Sequence, residues 1–185
     1  MKQTDSLQYV VDSLLNHQVG IFPCDTIWGL IAIPSEDTIQ KLKLIKKRDP
    51  KKNFIYLINS FKQLNDLVKP LTVKQKCIVN RYWPGAVTFI FNQKNTNKTI
   101  AIRYPNMVLI QTVIKLVQSP IISTSVNISS QKSCNNKDEF PDEIVDKIDF
   151  LFKTDKETGK KASTIVDLTS EPYKVLRQGC ILFND

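Results

Sequence analysis

The chain is short of the residues from which familiar nucleotide and metal sites are built. It holds five glycines in 185 residues, and no GxGxxG or GxxxxGK[ST] run occurs, so the usual glycine-rich phosphate loops are excluded. One histidine, His17, and four scattered cysteines (Cys24, Cys77, Cys134 and Cys180) form no CxxC pair. That removes the usual zinc sets and predicts free thiols in a reducing compartment, with no structural metal. No apolar run approaches the ~20 residues of a membrane helix. The opening MKQTDSLQYVVDSLLNHQ carries acids and lacks the basic start and apolar stretch of a secretory signal. The expected address is cytoplasmic, with no membrane partner.

What is present is ordinary in bulk and uneven in detail. At 42% hydrophobic and 24% charged residues, the composition is that of a globular protein, and the length suits one domain over residues 1–185. The net charge of +8 is concentrated: KLKLIKKRDPKK, from Lys41 to Lys52, holds seven basic residues and one acid. A nucleic-acid-coating protein would spread such an excess along a face or tail. A local excess beside a nearly neutral body fits a phosphate site. For Lys41, Lys43 and Lys47 the plainer reading, a solvated helix end, is preferred.

Leu7, Val10, Val11 and Leu14 recur at helical spacing. VGIFPCDT reads as a buried strand leaving into a polar turn. Ser35 caps a helix with Ile39, Leu42 and Ile45 on its inner face, and Pro50 ensures that it has stopped. FIYLIN is a strand, Ser60 caps the helix after it, and another helix runs from Thr72 to near Trp83. AVTFIF and IAIRY flank a polar loop as an antiparallel pair. A helix over about 106–117 leads through Pro120 into the strand IISTS. DEFPDEIVDKI is helical at least from Pro141, and FLF, STIVDL and KVLRQ supply short strands at the end. The alternation predicts an α/β protein with a mixed sheet covered by helices, not a pure Rossmann repeat.

Two constellations share an i, i+2 spacing. Lys46 and Arg48 stand where a helix gives way to an extended segment, so both cations are expected to face one pocket. Ser125 and Asn127 end a strand and are expected to project together, with Ser123 on the same side. Two cations and two neutral hydrogen-bonding groups suit a phosphate and the charge developing on it. Each feature also has a plain structural reading. Arg103 and Arg177 can pair with acids or cap a sheet edge, Asp25 with Thr26 can be an Asx turn, and Trp28 and Trp83 can be core aromatics.

The segments IFPCDTIWGL, IKKRDPKKNFIYLI, RYWPGAVTFIF, TIAIRYP, IISTSVNISS, STIVDLT and VLRQG occur in this order from about residue 19 to 180. Together they resemble the YrdC/TsaC family of threonylcarbamoyl-AMP synthases, in its short, single-domain form. The family's KxR and SxN signature falls on Lys46, Arg48, Ser125 and Asn127. The resemblance implies a YrdC/RibB-like twisted mixed sheet forming an open barrel, with helices around it and a deep basic groove. It implies a nucleotidyltransferase that makes threonylcarbamoyl-AMP and pyrophosphate from L-threonine, bicarbonate and ATP, with Mg2+ carried on the ATP. The product serves modification of a tRNA adenosine beside the anticodon, through threonylcarbamoyl-transferase partner proteins, and tRNA itself is a further candidate partner. By matching positions, Arg48, Lys52, Thr99, Ser125, Ser133 and Arg177 are implied ATP contacts. Thr26, Arg103, Ser123 and Ser163 are implied threonine contacts. Trp28 stands where Tyr or Phe is usual in the family, and Ser130 where Gly is. The alternative reading is an RNA-binding module of the same fold without synthase activity. A carbamoyl-transfer domain related to hydrogenase maturation would sit in a longer chain with zinc-finger cysteines.

Overall fold

The computed structural model describes residues 1–49, 52–129, 134, 136–154 and 161–184. Strand β1 (Lys2–Thr4) precedes helix α1 (Leu7–Leu15), whose first turn is capped by Ser6 and whose Val10, Val11 and Leu14 form the buried stripe. β2 (Gly20–Pro23) and β3 (Trp28–Ala32) are buried along their whole length. Helix α2 (Glu36–Lys46) opens with a capping box, Ser35 accepting from the Thr38 amide while Thr38 returns the bond to the Ser35 amide. It ends at Lys47, which adopts the left-handed conformation with φ 49°. The helix thus ends at a left-handed turn that comes before Pro50 in the sequence.

β4 (Ile55–Leu57), α3 (Phe61–Leu67) and α4 (Val73–Tyr82) follow, the two helices capped by Ser60 and Thr72. β5 (Val87–Asn92) and β6 (Thr99–Arg103) form the expected antiparallel pair. After α5 (Val108–Val117) comes β7 (Ile121–Ser125). The expected helix from Pro141 is only the four-residue α6 (Asp142–Val145), preceded by a single 3-10 turn at Lys137–Glu139. β8 (Phe150–Phe152), β9 (Thr164–Asp167) and β10 (Lys174–Arg177) complete the strands.

The ten strands among the described residues join one mixed sheet, in the order β1-β8-β2-β3-β7-β4-β6-β5-β9-β10. The order has two ends, and no described ladder joins β1 to β10. Because side chains alternate along a strand, each strand feeds two different surroundings. On one face Leu30, Tyr56, Ile122, Ile102 and Phe89 join the clusters packed by α2, α3, α4 and α6. On the other face Phe22, Ile31, Leu57 and Ile121 pack beneath α1 and α5. Each of the fully buried aliphatic and Phe side chains contributes roughly 1.5–3 kcal/mol by leaving water.

The helices cover only part of that second face. Along β7, Ile121, Ser123 and Ser125 point to the same side, and only Ile121 lies in the apolar cluster under α1 and α5. Ser123 pairs in register with Ile31 on one side and Ile55 on the other, and Ile55 with Ala101. Ser123, Ile55 and Ala101 of this row form part of the floor of a cavity.

Candidate active site

The cavity measures about 400 Å3. Its floor is Gly29, Ile55, Ala101, Ser123 and Ser125, and its walls come from Arg48 and residues 52–54 on one side and β9, β10 and residues 162–163 on the other. Gly29 is needed there: a Cβ would lie 2.7 Å from Ser123 Oγ and 3.2 Å from Cys24 Sγ. Four cations line the space, Arg48, Lys52, Arg103 and Arg177, and among the described residues no carboxylate does. Such a lining selects anions.

Arg103 ends β6, and its alternation with Ile100 and Ile102 turns it, with Thr99 and Ala101, toward the cavity. It is 4% exposed. Its Nη1 donates to Thr26 Oγ1 at 3.0 Å, and Nη2 lies 3.2 Å from Asp25 Oδ1. Asp25 Oδ2 also accepts from the Asn106 amide, so the carboxylate sits behind the guanidinium, outside the cavity lining. The Nε–H of Arg103 is buried and has no hydrogen-bond acceptor among the described residues. A buried charged donor left unpaired is expensive unless a ligand completes it.

Arg177 approaches from the sheet edge. Its Nε and Nη2 both donate to the Ser163 carbonyl, at 3.1 and 2.9 Å, and Nη2 also reaches Ser163 Oγ at 3.2 Å. Ser163 Oγ in turn shares a hydrogen bond of 2.8 Å with the fully buried Thr88. Partial burial and the positive charge of Arg103 lower the Arg177 pKa from its ordinary value. Bringing like charges together in this way raises the site's affinity for an anion.

Arg48 lies along the opposite wall. It donates to the carbonyls of Lys52 and Asn53, at 3.2 and 2.7 Å, and its guanidinium lies 5.1 Å from the Phe54 ring centroid. Burial lowers its pKa as well.

Lys46 does not join Arg48, which corrects the expected side-by-side projection into one pocket. The left-handed turn at Lys47 sends the two side chains apart. Lys46 is 1% exposed and outside the cavity lining, and its ammonium bonds Ser125 O at 2.6 Å, Asn127 O at 2.6 Å and Asn127 Oδ1 at 3.0 Å. Burial first, and then the Arg48 charge, lower its pKa from 10.5 to about 8.

Asn127 also lies behind the wall, 6% exposed. Its Oδ1 accepts the Ser125 hydroxyl at 2.5 Å. The Ser125 hydroxyl, which borders the cavity, is thus committed to Asn127 in this structure. Ser133, the remaining implied ATP contact, lies outside the described residues, as does Ser130. The other implied contacts, Thr26, Lys52, Thr99, Ser123 and Ser163, line the cavity together.

Trp83 is a core aromatic whose Nε1 donates to Val87 O. Trp28 is both core and wall, edge-on to Phe140 and bordering the cavity. Lys41 is not a freely solvated lysine: it bonds Asp149 at 2.6 Å. Sequence reasoning missed Gly29, Ala101, Thr88 and the pairing of Asp25. Alternation from Arg103 identifies Ala101, whereas Thr88 is recognisable only once β5 and β9 are known to pair.

Comparison with known proteins follows the same lines. The Sua5_yciO_yrdC family, described as "telomere recombination", matches residues 12–179. A Vibrio parahaemolyticus protein named threonylcarbamoyl-AMP synthase is 28% identical over 186 residues, covering 95% of this chain and 100% of its own. The crystal structure of Pyrococcus abyssi Sua5 complexed with L-threonine superposes with a TM-score of 0.85 at 27% identity, over 94% of this chain and 54% of that one. This chain thus spans about half the length of the archaeal protein. Escherichia coli YciO shares the fold, with a TM-score of 0.83 at 21% identity over 96% and 93% of the two chains.

Proposed function

Because the chain belongs to the Sua5/YciO/YrdC family, we propose that it is a threonylcarbamoyl-AMP synthase acting in tRNA modification. The observation that carries this reading is the cavity itself, with four cations, several hydroxyls and no lining carboxylate among the described residues. It suits two anionic substrates that must be brought together against their own repulsion. The V. parahaemolyticus relative, covered over its full length, supports the same reading.

The reaction needs no enzyme nucleophile. The threonine amine adds to bicarbonate, giving a carbamate and water. A carbamate oxygen then attacks the α-phosphorus of ATP, and the bond to pyrophosphate breaks. Arg48, Lys52, Thr99, Ser125 and Arg177 are the proposed ATP contacts, and Thr26, Arg103, Ser123 and Ser163 the threonine contacts. Arg103, which lines the cavity, is the proposed partner of the threonine carboxylate. Mg2+ enters on the ATP phosphates, which agrees with a lining that offers cations and hydroxyls instead of metal ligands. The proposed unit is the single domain 1–185, working in the cytoplasm beside transferase partners that deliver the group to tRNA.

The test is pyrophosphate release from ATP by the purified protein. Release that requires both L-threonine and bicarbonate supports the synthase. RNA affinity with no pyrophosphate release would identify a binding module instead.

A further inference from the structure

An ammonium group has three N–H donors and no acceptor. Lys46 Nζ has three protein acceptors within hydrogen-bond reach: Ser125 O, Asn127 O and Asn127 Oδ1. None is left for a phosphate unless one of these bonds breaks. The backbone repeats the connection, because the Ser129 amide donates to the Lys46 carbonyl at 3.0 Å. The end of α2 is thus tied, by side chain and main chain, to the turn that leaves β7.

That turn governs the Ser125 hydroxyl. Asn127 Oδ1 accepts from both Lys46 and Ser125, so the ammonium fixes the amide and the amide fixes the hydroxyl. Lys46 itself is 1% exposed and lines no part of the cavity.

We propose that Lys46 is a positioning residue, whose ammonium closes the Ser125–Ser129 turn and acts on the reaction only through the wall it holds, leaving Arg48 as the substrate-facing cation of that pair. This deepens the synthase reading and rests on it. A lysine that touched phosphate would lose binding in proportion to phosphate charge. A positioning lysine loses it independently of that charge, because the wall moves for every ligand.

The test compares wild type, Lys46→Met and Arg48→Gln by titration calorimetry with AMP, ADP and ATP. Lys46→Met is expected to lose one common factor across the three nucleotides, roughly tenfold for a lost buried charged hydrogen-bond set. The Arg48→Gln loss is expected to grow with each added phosphate. A Lys46→Met loss that grows with phosphate number, or no loss of affinity or turnover at all, overturns the proposal. Where Lys46→Met does not fold, 15N-lysine NMR of wild type decides. The Lys46 ammonium protons should exchange slowly with water and keep their position when ATP saturates the site. Fast exchange without nucleotide, or a shift with coupling to phosphorus on adding ATP, overturns it. Wild type that binds none of the nucleotides refutes the synthase reading first, and the proposal with it.

Discussion

One sheet face carries two regions that differ in a few side chains and do opposite things. Where α1 and α5 cover it, the strands present Phe22, Ile31, Leu57 and Ile121, all fully buried. A strand step or two further on, the same side of the same strands presents Gly29, Ser123 and Ser125, and there is a cavity instead of a helix. Strand β7 makes the transition within five residues. The apolar half holds the sheet together, and the small, polar half leaves room for four cations to line one cavity. Stability and anion binding are therefore separable along one strand.

The largest expected effect lies in the open half. Arg48→Ala should lower turnover by roughly 10²–10³-fold, the range for removing one donor aimed at developing charge, with little change in melting temperature. Equal loss of both would make Arg48 a structural residue and erase the division. Next comes the covered half: Ile121→Ala should cost about 2–5 kcal/mol of stability by opening a cavity in the core, read by denaturant unfolding. Two residues along, Ser125→Ala should cost about 1 kcal/mol or less while reducing turnover more than Ile121→Ala does in the protein that remains folded. Reversal of that order contradicts the comparison.

A pH dependence separates the two properties at Lys46. Its folded pKa of about 8 lies below the usual 10.5, so between these values the unfolded chain binds more protons. Its contribution to stability is then present above the unfolded value and lost as pH falls through about 8. Deprotonation removes one N–H from the turn, so turnover should fall as pH rises through the same point. Cys24, raised by burial to about 11, shifts stability the other way at high pH. The measurement is accordingly the difference in melting temperature between wild type and Lys46→Met across pH 7 to about 10.

Much of this division could be read in the residues, and the remainder has physical causes. Helix caps at Ser35, Ser60 and Thr72 are local, and all three helices start where those residues predict. Period-two alternation around Arg103 places it opposite Ile100 and Ile102, as β6 does. By contrast β1 is three polar residues whose pairing with β8 is long-range, and β3 is buried on both faces and has no alternation to detect. The parting of Lys46 from Arg48 hinged on one left-handed residue, Lys47, whose conformation is unusual for a lysine. The commitment of Ser125 to Asn127 depended on a turn that spacing alone cannot orient.

The most direct measurement is mass spectrometry of the product formed from ATP, L-threonine and 13C-bicarbonate. Synthesis in this cavity predicts an adenylate carrying threonine and one 13C in its carbamoyl carbon, lost in Arg48→Ala and retained in a folded Ile121→Val. AMP and pyrophosphate without a labelled adduct, or a labelled adduct formed equally well by Arg48→Ala, would contradict it.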